Sequence, residues 1–295
     1  MKYTYFPGCT LHSQARNFDE SARAGAAVLG VVMEEPSSWQ CCGAVFPLVT
    51  DNIMPLASPF RTLLRASQKG DDGLITLCSA CYNVFKRTNY LVSNNVEKRD
   101  KLINFVEEGV YAGDTPVLHL LEVLRDKIGF DQLKEKVQKK LEGLRVAPYY
   151  GCLLLRPKEE VAFDDLEDPQ VIENFLISLG AEPVNYPYKT ECCGAYVSVA
   201  SPEHALKAIK AILYSAQKNK AECLVVSCPL CQYNLDDKQQ DIAAEDSSFK
   251  PIPVLYFTQL LSIALGLDEK VCHFDRHRVD PLPLLRQKNL IPEVS

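Results

Sequence analysis

Ten of the twelve cysteines fall into two copies of one spacing, and what such residues offer is thiolate chemistry. The first copy runs Cys9, Cys41-Cys42 and Cys78-Ser79-Ala80-Cys81; the second runs Cys152, Cys192-Cys193 and Cys228-Pro229-Leu230-Cys231. As spacings these are C-x31-CC-x35-CxxC and C-x39-CC-x34-CxxC. Thiolates are soft donors, so sets this rich in cysteine select zinc or iron–sulfur centres over magnesium or calcium. Both centres usually take four ligands, so a closed zinc site or an ordinary cubane leaves one cysteine of each five unused. Neighbours in extended backbone point to opposite sides, which keeps Cys41 and Cys42 from gripping one metal atom together. They can hold different irons, or one can bridge two. A zinc-stapled repeat and a disulfide set are the competing readings.

The elements that must position these thiols are duplicated as well. Short β-prone runs, Tyr3 to Phe6 and Arg145 to Tyr150, lead into Gly8-Cys9 and Gly151-Cys152. A helical period follows, with Phe18, Ala22, Ala26 and Leu29 in one copy and Val171, Phe175 and Leu179 in the other. Second strands at Val31 to Glu34 and Glu182 to Tyr186 lead through loops to Cys-Cys-Gly-Ala. Ser58-Pro59 and Ser201-Pro202 each read as an N-cap hydroxyl before a proline in the first helical turn. Third strands, Leu74 to Leu77 and Leu224 to Ser227, deliver the chain to CxxC at a helix start, where backbone N–H groups and the helix dipole favour thiolate. The tails Pro116-Val117-Leu118 and Pro253-Val254-Leu255 also correspond. Alternating strands and helices predict an α/β fold of two pseudo-symmetric lobes, each a small, mostly parallel sheet with flanking helices. Expected boundaries are 1–143, a cysteine-rich lobe with a helical linker drawn from 94–144, and 144–295 for the second lobe. Function is expected beyond the carboxyl ends of the strands.

Composition narrows the classes further. With 295 residues and 47% apolar side chains the chain can bury two cores. Twelve cysteines are about 4% of the chain, too sparse for a disulfide-stapled scaffold. No charged-then-apolar leader opens the sequence, and the apolar stretch Val254 to Leu267 is interrupted by Thr258, Gln259 and Ser262 and shorter than the ~20 residues that span a bilayer. A cytoplasmic protein without a membrane span is expected. Net charge of −6 with interspersed signs disfavours nucleic acid as partner. No glycine pair forms a GxG, so no dinucleotide or Walker loop is present, and the ferredoxin run CxxCxxCxxxCP is absent.

The doubled cysteine pattern, called the CCG domain, resembles the catalytic B subunit of heterodisulfide reductase over essentially the whole chain. The tail residues Val279-Asp280-Pro281 and Pro283-Leu284-Leu285 are similar to that protein's C-terminus, while the x34 spacing falls one residue short of the family's usual range. The resemblance implies two noncubane [4Fe-4S] clusters, each held by all five cysteines of one copy: Cys9, Cys41, Cys42, Cys78 and Cys81 for one, Cys152, Cys192, Cys193, Cys228 and Cys231 for the other. It implies reductive cleavage of a disulfide in anaerobic metabolism. The implied partners are a small two-cubane iron–sulfur subunit and a larger flavin and iron–sulfur subunit. Two one-electron clusters suit a two-electron bond cleavage. Other CCG proteins serve as electron-transfer subunits of lactate, glycerol-phosphate or succinate oxidoreductases, which keeps a relay role open beside the disulfide reductase.

His12, three residues past Cys9, is the candidate proton donor, set against a solvent-facing loop histidine. Cys223 reads as a buried strand thiol. Cys272, His273 and His277 offer three metal donors in a charged tail, where such sets more often bind nothing. Arg16, Lys86, Arg87, Arg156 and Lys189 lie near the motifs and are candidates to steer an anionic substrate; the plainer expectation for each is a solvated surface charge.

Overall fold

The computed structural model describes residues 1–44, 46 and 52–292, and within them eight strands form two four-stranded sheets. The first lobe runs β1 (Lys2–Phe6), α1 (Arg16–Val28), β2 (Val32–Glu34), α2 (Ala57–Lys69), β3 (Leu74–Thr76), α3 (Ser79–Asn94), α4 (Val96–Val106), β4 (Val117–His119), α5 (Leu120–Glu122) and α6 (Phe130–Lys136). The second runs β5 (Arg145–Pro148), α7 (Lys158–Val161), α8 (Val171–Ser178), β6 (Glu182–Pro183), α9 (Pro202–Lys218) and β7 (Cys223–Val226). It continues through α10 (Pro229–Asp237), α11 (Gln239–Glu245), β8 (Val254–Tyr256), α12 (Phe257–Ala264) and α13 (Leu282–Gln287).

Strand orders are β2-β1-β3-β4 and β6-β5-β7-β8, and every pairing is parallel. The inner strands β3 and β7 are buried at every position and apolar but for Thr76, as a sheet covered on both faces demands, while the edge strand β2 is largely exposed. From β1 the chain moves outward to β2, then returns to place β3 on the other side. That reversal between β1 and β3, repeated between β5 and β7, is the topological switch point at which open α/β sheets bind ligands.

The lobes interlock across their helices. Phe18 of α1 stacks on Tyr256 with ring centroids 4.1 Å apart, and Ser21 bonds to Thr258 of α12 at 2.7 Å. Gly25 lets α12 come close, since a Cβ there would lie 3.1 Å from a Leu261 methyl. Phe18 is fully buried, a contribution of roughly 2–3 kcal/mol for a large apolar side chain.

Two sequence expectations are corrected. The 94–144 segment is not only a linker: β4 lies within it and completes the first sheet, with Leu74 paired to Val117 and Thr76 to His119. Three residues are too few to show a period, so only the correspondence of the two tails marked the strand. The helix that follows β4 continues past α5 as a π-helical stretch, Val123–Ile128. Ser58 does not cap α2. A 3₁₀ turn, Met54–Leu56, starts the helix early, and the Ser58 hydroxyl donates to the Cys41 carbonyl at 2.7 Å. In the second lobe Ser201 does precede the helix, but its hydroxyl pairs with His204 Nδ1 at 2.6 Å.

Candidate metal centre

Each lone first cysteine follows a glycine in the left-handed region, at φ +76° for Gly8 and +64° for Gly151. A Cβ on Gly8 would sit 3.1 Å from Cys81 Sγ, and one on Gly151 would sit 3.5 Å from Cys231 Sγ. Glycine therefore serves twice here: it turns the chain as it leaves β1 or β5, and it keeps side-chain bulk away from the CxxC sulfur. The glycine after each adjacent pair also has positive φ, and its N–H meets the first sulfur of the pair. Gly43 N donates to Cys41 Sγ at 3.4 Å and Gly194 N to Cys192 Sγ at 3.3 Å.

The CxxC motifs occupy helix starts, as expected. Cys78 and Cys228 are the N-cap residues of α3 and α10, both in extended conformation. The backbone amides of Leu230 and Cys231 favour a thiolate at Cys228. Hydrogen bonds from Cys231 and Cys78, reinforced by those amides, hold Cys228 well below the usual thiol range.

These local features bring the thiols into a continuous run. Contacts link Cys9 to Cys41, Cys41 to Cys42, and Cys81 to Cys78, with Cys42 and Cys81 3.2 Å apart. Cys78 then meets Cys228 of the other lobe, and Cys228 meets Cys231, which lies 3.6 Å from Cys193. Cys152 and Cys192 form a pair at 3.7 Å beside this run. The neighbouring Cys81 thiol brings Cys42 down to about 7, and the Cys152 thiol brings Cys192 down to about 6. No group of three His, Cys, Asp or Glu side chains among the described residues is arranged around a single ion.

The lobe junction beneath the run is tied by two serines that no sequence pattern singles out. Ser79 donates its backbone N–H and hydroxyl to the Ser227 carbonyl at 3.1 and 3.0 Å, and the two hydroxyls lie 2.8 Å apart. Tyr196, just after the second CCG, donates to the Ala44 carbonyl of the first at 2.8 Å. Beside it lies a narrow, mostly apolar cleft of about 20 Å³ lined by Ser79, Tyr150, Leu153, Ala195, Tyr196, Leu230 and five cysteine thiols. His119 is fully buried at the end of β4. Its Nδ1 accepts from Leu121 N, so Nε2 carries the proton and donates to the Leu77 carbonyl at 2.7 Å, steadying the residue before Cys78. Burial pushes it down to about 4. The matching tails Pro116-Val117-Leu118 and Pro253-Val254-Leu255 were the signal that could have found His119 and its counterpart Tyr256.

The remaining candidates are spread out. His12 is exposed, with Nε2 on Glu35 at 2.8 Å. Cys223 is the buried first residue of β7. Cys272, His273 and His277 take separate partners: the Gln259 carbonyl, Glu20, and the amides of Gln259 and Asn17. Arg16 pairs with Glu20, Lys86 with Glu122, and Arg87 with Glu160, while Arg156 donates to the Thr190 carbonyl. Lys189 corrects the expectation of a solvated charge. Its side chain is 7% exposed and bonds Glu173 and Asp168, because α8 and the loop before it fold carboxylates over the ammonium.

The donor set fits an iron–sulfur group. The convergent donors are thiols, the CxxC pairs lie at helix N-termini, and Gly8 keeps a Cβ out of their space. Comparison with known proteins agrees. The cysteine-rich domain family, CCG, matches residues 3–86 and 146–236. The chain is 33% identical over 285 residues to the 8-methylmenaquinol:fumarate reductase membrane anchor subunit of Wolinella succinogenes, covering 96% of this chain and 99% of that one. It is 30% identical to a protein of Archaeoglobus profundus described as like the B subunit of heterodisulfide reductase, over 92% and 93% of the two chains. It is 26% identical to the B subunit of the ferredoxin:CoB-CoM heterodisulfide reductase of Methanosarcina mazei, over 96% of each. The fold matches a crystal structure of a hypothetical protein from Helicobacter pylori with a TM-score of 0.76 at 13% identity, over 94% of this chain and 51% of that one. The chain thus spans about half the length of that protein, and the likeness bears on fold alone.

Proposed function

We propose, on the premise that this chain belongs to the cysteine-rich CCG family of heterodisulfide reductase B-like proteins, that it is an iron–sulfur subunit of a multi-subunit oxidoreductase. In this reading Cys9, Cys41, Cys42, Cys78 and Cys81 hold one cluster, and Cys152, Cys192, Cys193, Cys228 and Cys231 hold a second. The noncubane [4Fe-4S] form is the one that employs five thiolates. The observation that carries the reading is the run of sulfurs from Cys9 to Cys193, which crosses the lobe boundary at Cys78 and Cys228.

Iron–sulfur clusters, when bound, pass single electrons, so a pair supplies the two electrons that convert a disulfide and two protons into two thiols. The chain's own residues set the conditions. The start of α10 stabilises negative charge at Cys228. Ser79 and Ser227 fix the distance between the two helix starts. Tyr196 bridges the two CCG loops and lines the mostly apolar cleft beside the second set of thiols. Electrons come from partner subunits, for which the two-cubane and flavin-bearing kinds are our expectation.

A relay or anchoring role in another oxidoreductase is the second reading, in line with the relative named as a fumarate reductase membrane anchor subunit, and one observation favours it. The five cations nearest the motifs are each bound by a carboxylate or a carbonyl, which leaves them committed rather than poised for an anionic disulfide. No helix among the described residues is long and apolar enough to cross a membrane. Thiol release from anionic and uncharged disulfides, driven by reduced viologen, separates the readings. Turnover that vanishes in Cys228→Ser supports disulfide cleavage. Absence of turnover, with electrons still passing to a co-purified partner protein, supports the relay and refutes the reductase.

A further inference from the structure

Three separate segments build each five-cysteine site, and two unlike residues join them. In the first lobe Glu35, directly after β2, accepts from three donors. His12 Nε2 reaches it at 2.8 Å from the Cys9 loop, Trp39 Nε1 at 2.8 Å from two residues before Cys41, and Arg23 at 2.9 Å from α1. Arg23 also holds Asp19 at 2.8 Å, and Asp19 accepts from Tyr5 of β1 at 2.5 Å. Trp39, the chain's one tryptophan, packs edge-on against both Phe6 and His12 at 5.1 and 5.4 Å.

In the second lobe the same segments are joined by a cation. Lys189, three residues before Cys192, donates to Glu173 at 2.8 Å, Asp168 at 2.9 Å and the Pro169 carbonyl at 3.0 Å. Its own carbonyl accepts from Tyr150 N at 2.9 Å and Gly151 N at 3.2 Å, the two residues before Cys152. Tyr150 closes the circuit through its hydroxyl on Glu173. A carboxylate hub and an ammonium hub share no sequence relation, so the duplication did not copy one into the other. Both nonetheless connect the strand end, the following helix and the loop of the adjacent cysteines.

We propose that Glu35 and Lys189 are positioning residues, one per site, each clamping the loop of its lone first cysteine against the loop of its adjacent pair. The proposal rests on the reading that both sites hold iron–sulfur clusters. It assigns His12 to the first clamp. Because Glu35 is 24% and His12 51% exposed against 7% for Lys189 and 10% for Glu173, the first clamp is the more open to solvent and salt. Iron in the first site is then released faster to a ferrous chelator at high ionic strength.

The test is iron content and chelator-release rate of the full chain purified anaerobically, with Cys9→Ser and Cys152→Ser as references for the two sites. Glu35→Ala is expected to lower iron from about eight to about four per chain. Combining it with Cys9→Ser should lower iron no further, whereas combining it with Cys152→Ser should nearly abolish it. Glu35→Gln, which keeps an acceptor for Trp39, should recover part of the loss. Lys189→Met with Glu173→Gln, paired so that no buried charge is left alone, should give the mirror pattern. Full iron with unchanged release rates in Glu35→Ala, or losses that add to those of Cys9→Ser, would overturn the clamp. Wild-type protein without iron would refute the cluster reading, and this proposal with it.

Discussion

A single methyl group is a sharp probe of the site. Gly8→Ala would hold alanine at φ +76° with its Cβ 3.1 Å from Cys81 Sγ. The left-handed conformation alone costs about 1–2 kcal/mol. Denaturant unfolding of metal-free protein should show a loss of that size, and first-site iron should fall. Gly151→Ala should cost less in iron, since the sulfur there is 3.5 Å away; an equal or reversed order would contradict the geometric reading. At this scale the sequence revealed the cysteines and glycines because their spacing repeats. It did not reveal Lys189 as buried, since a lysine in a loop is indistinguishable from a solvated one until Glu173 and Asp168 fold over it. Nor did it reveal Ser79 and Ser227, whose pairing joins residues 148 apart.

Element ends carry the titratable strain. His277, in the tail beside α12, accepts on Nε2 from Gln259 and Asn17, and burial pushes it down to about 4 from an ordinary 6.5. A histidine depressed in the folded state contributes stability that is present above about pH 6.5 and lost as pH falls toward 4. Relative to His277→Gln, the wild type should therefore lose about 3 kcal/mol between pH 7 and pH 4. Asp236 of α10 has the opposite sign. Burial raises it to about 6 from 3.8 despite N–H donors from Arg278 and Val279, so its contribution is complete below 3.8 and is lost as pH rises through 6. Asp236→Asn should gain on the wild type over that rise. Unfolding free energies at four or five pH values check both, and parallel curves for wild type and variants would contradict them. Strands and helices with a period or a cap signal were legible, as at α1, α3 and α10. By those signals the three-residue β4 and the early start of α2 were not, because one lacks a period and the other is set by a preceding 3₁₀ turn.

The whole molecule behaves as two interlocked halves. Duplication was readable from the cysteines alone, and it placed both sheets. The packing of α1 on α12, and of α3 on the Cys152 loop through Asn83 to the Leu153 and Arg156 carbonyls, was not readable, since no local pattern encodes contacts between halves. We propose 143/144 as the lobe boundary. Residues 1–143 alone should fail to fold, because Phe18 and Gly25 would lose Tyr256 and Leu261, whereas co-expressed halves should reassemble; a folded, monomeric 1–143 would contradict the interlock.

The most direct test of the central claim is the iron and zinc content of anaerobically purified protein, read with its visible spectrum. The account predicts brown protein with about eight irons per chain, falling to about four in either Cys9→Ser or Cys152→Ser. Colourless protein carrying zinc, or iron that neither substitution reduces, would contradict it.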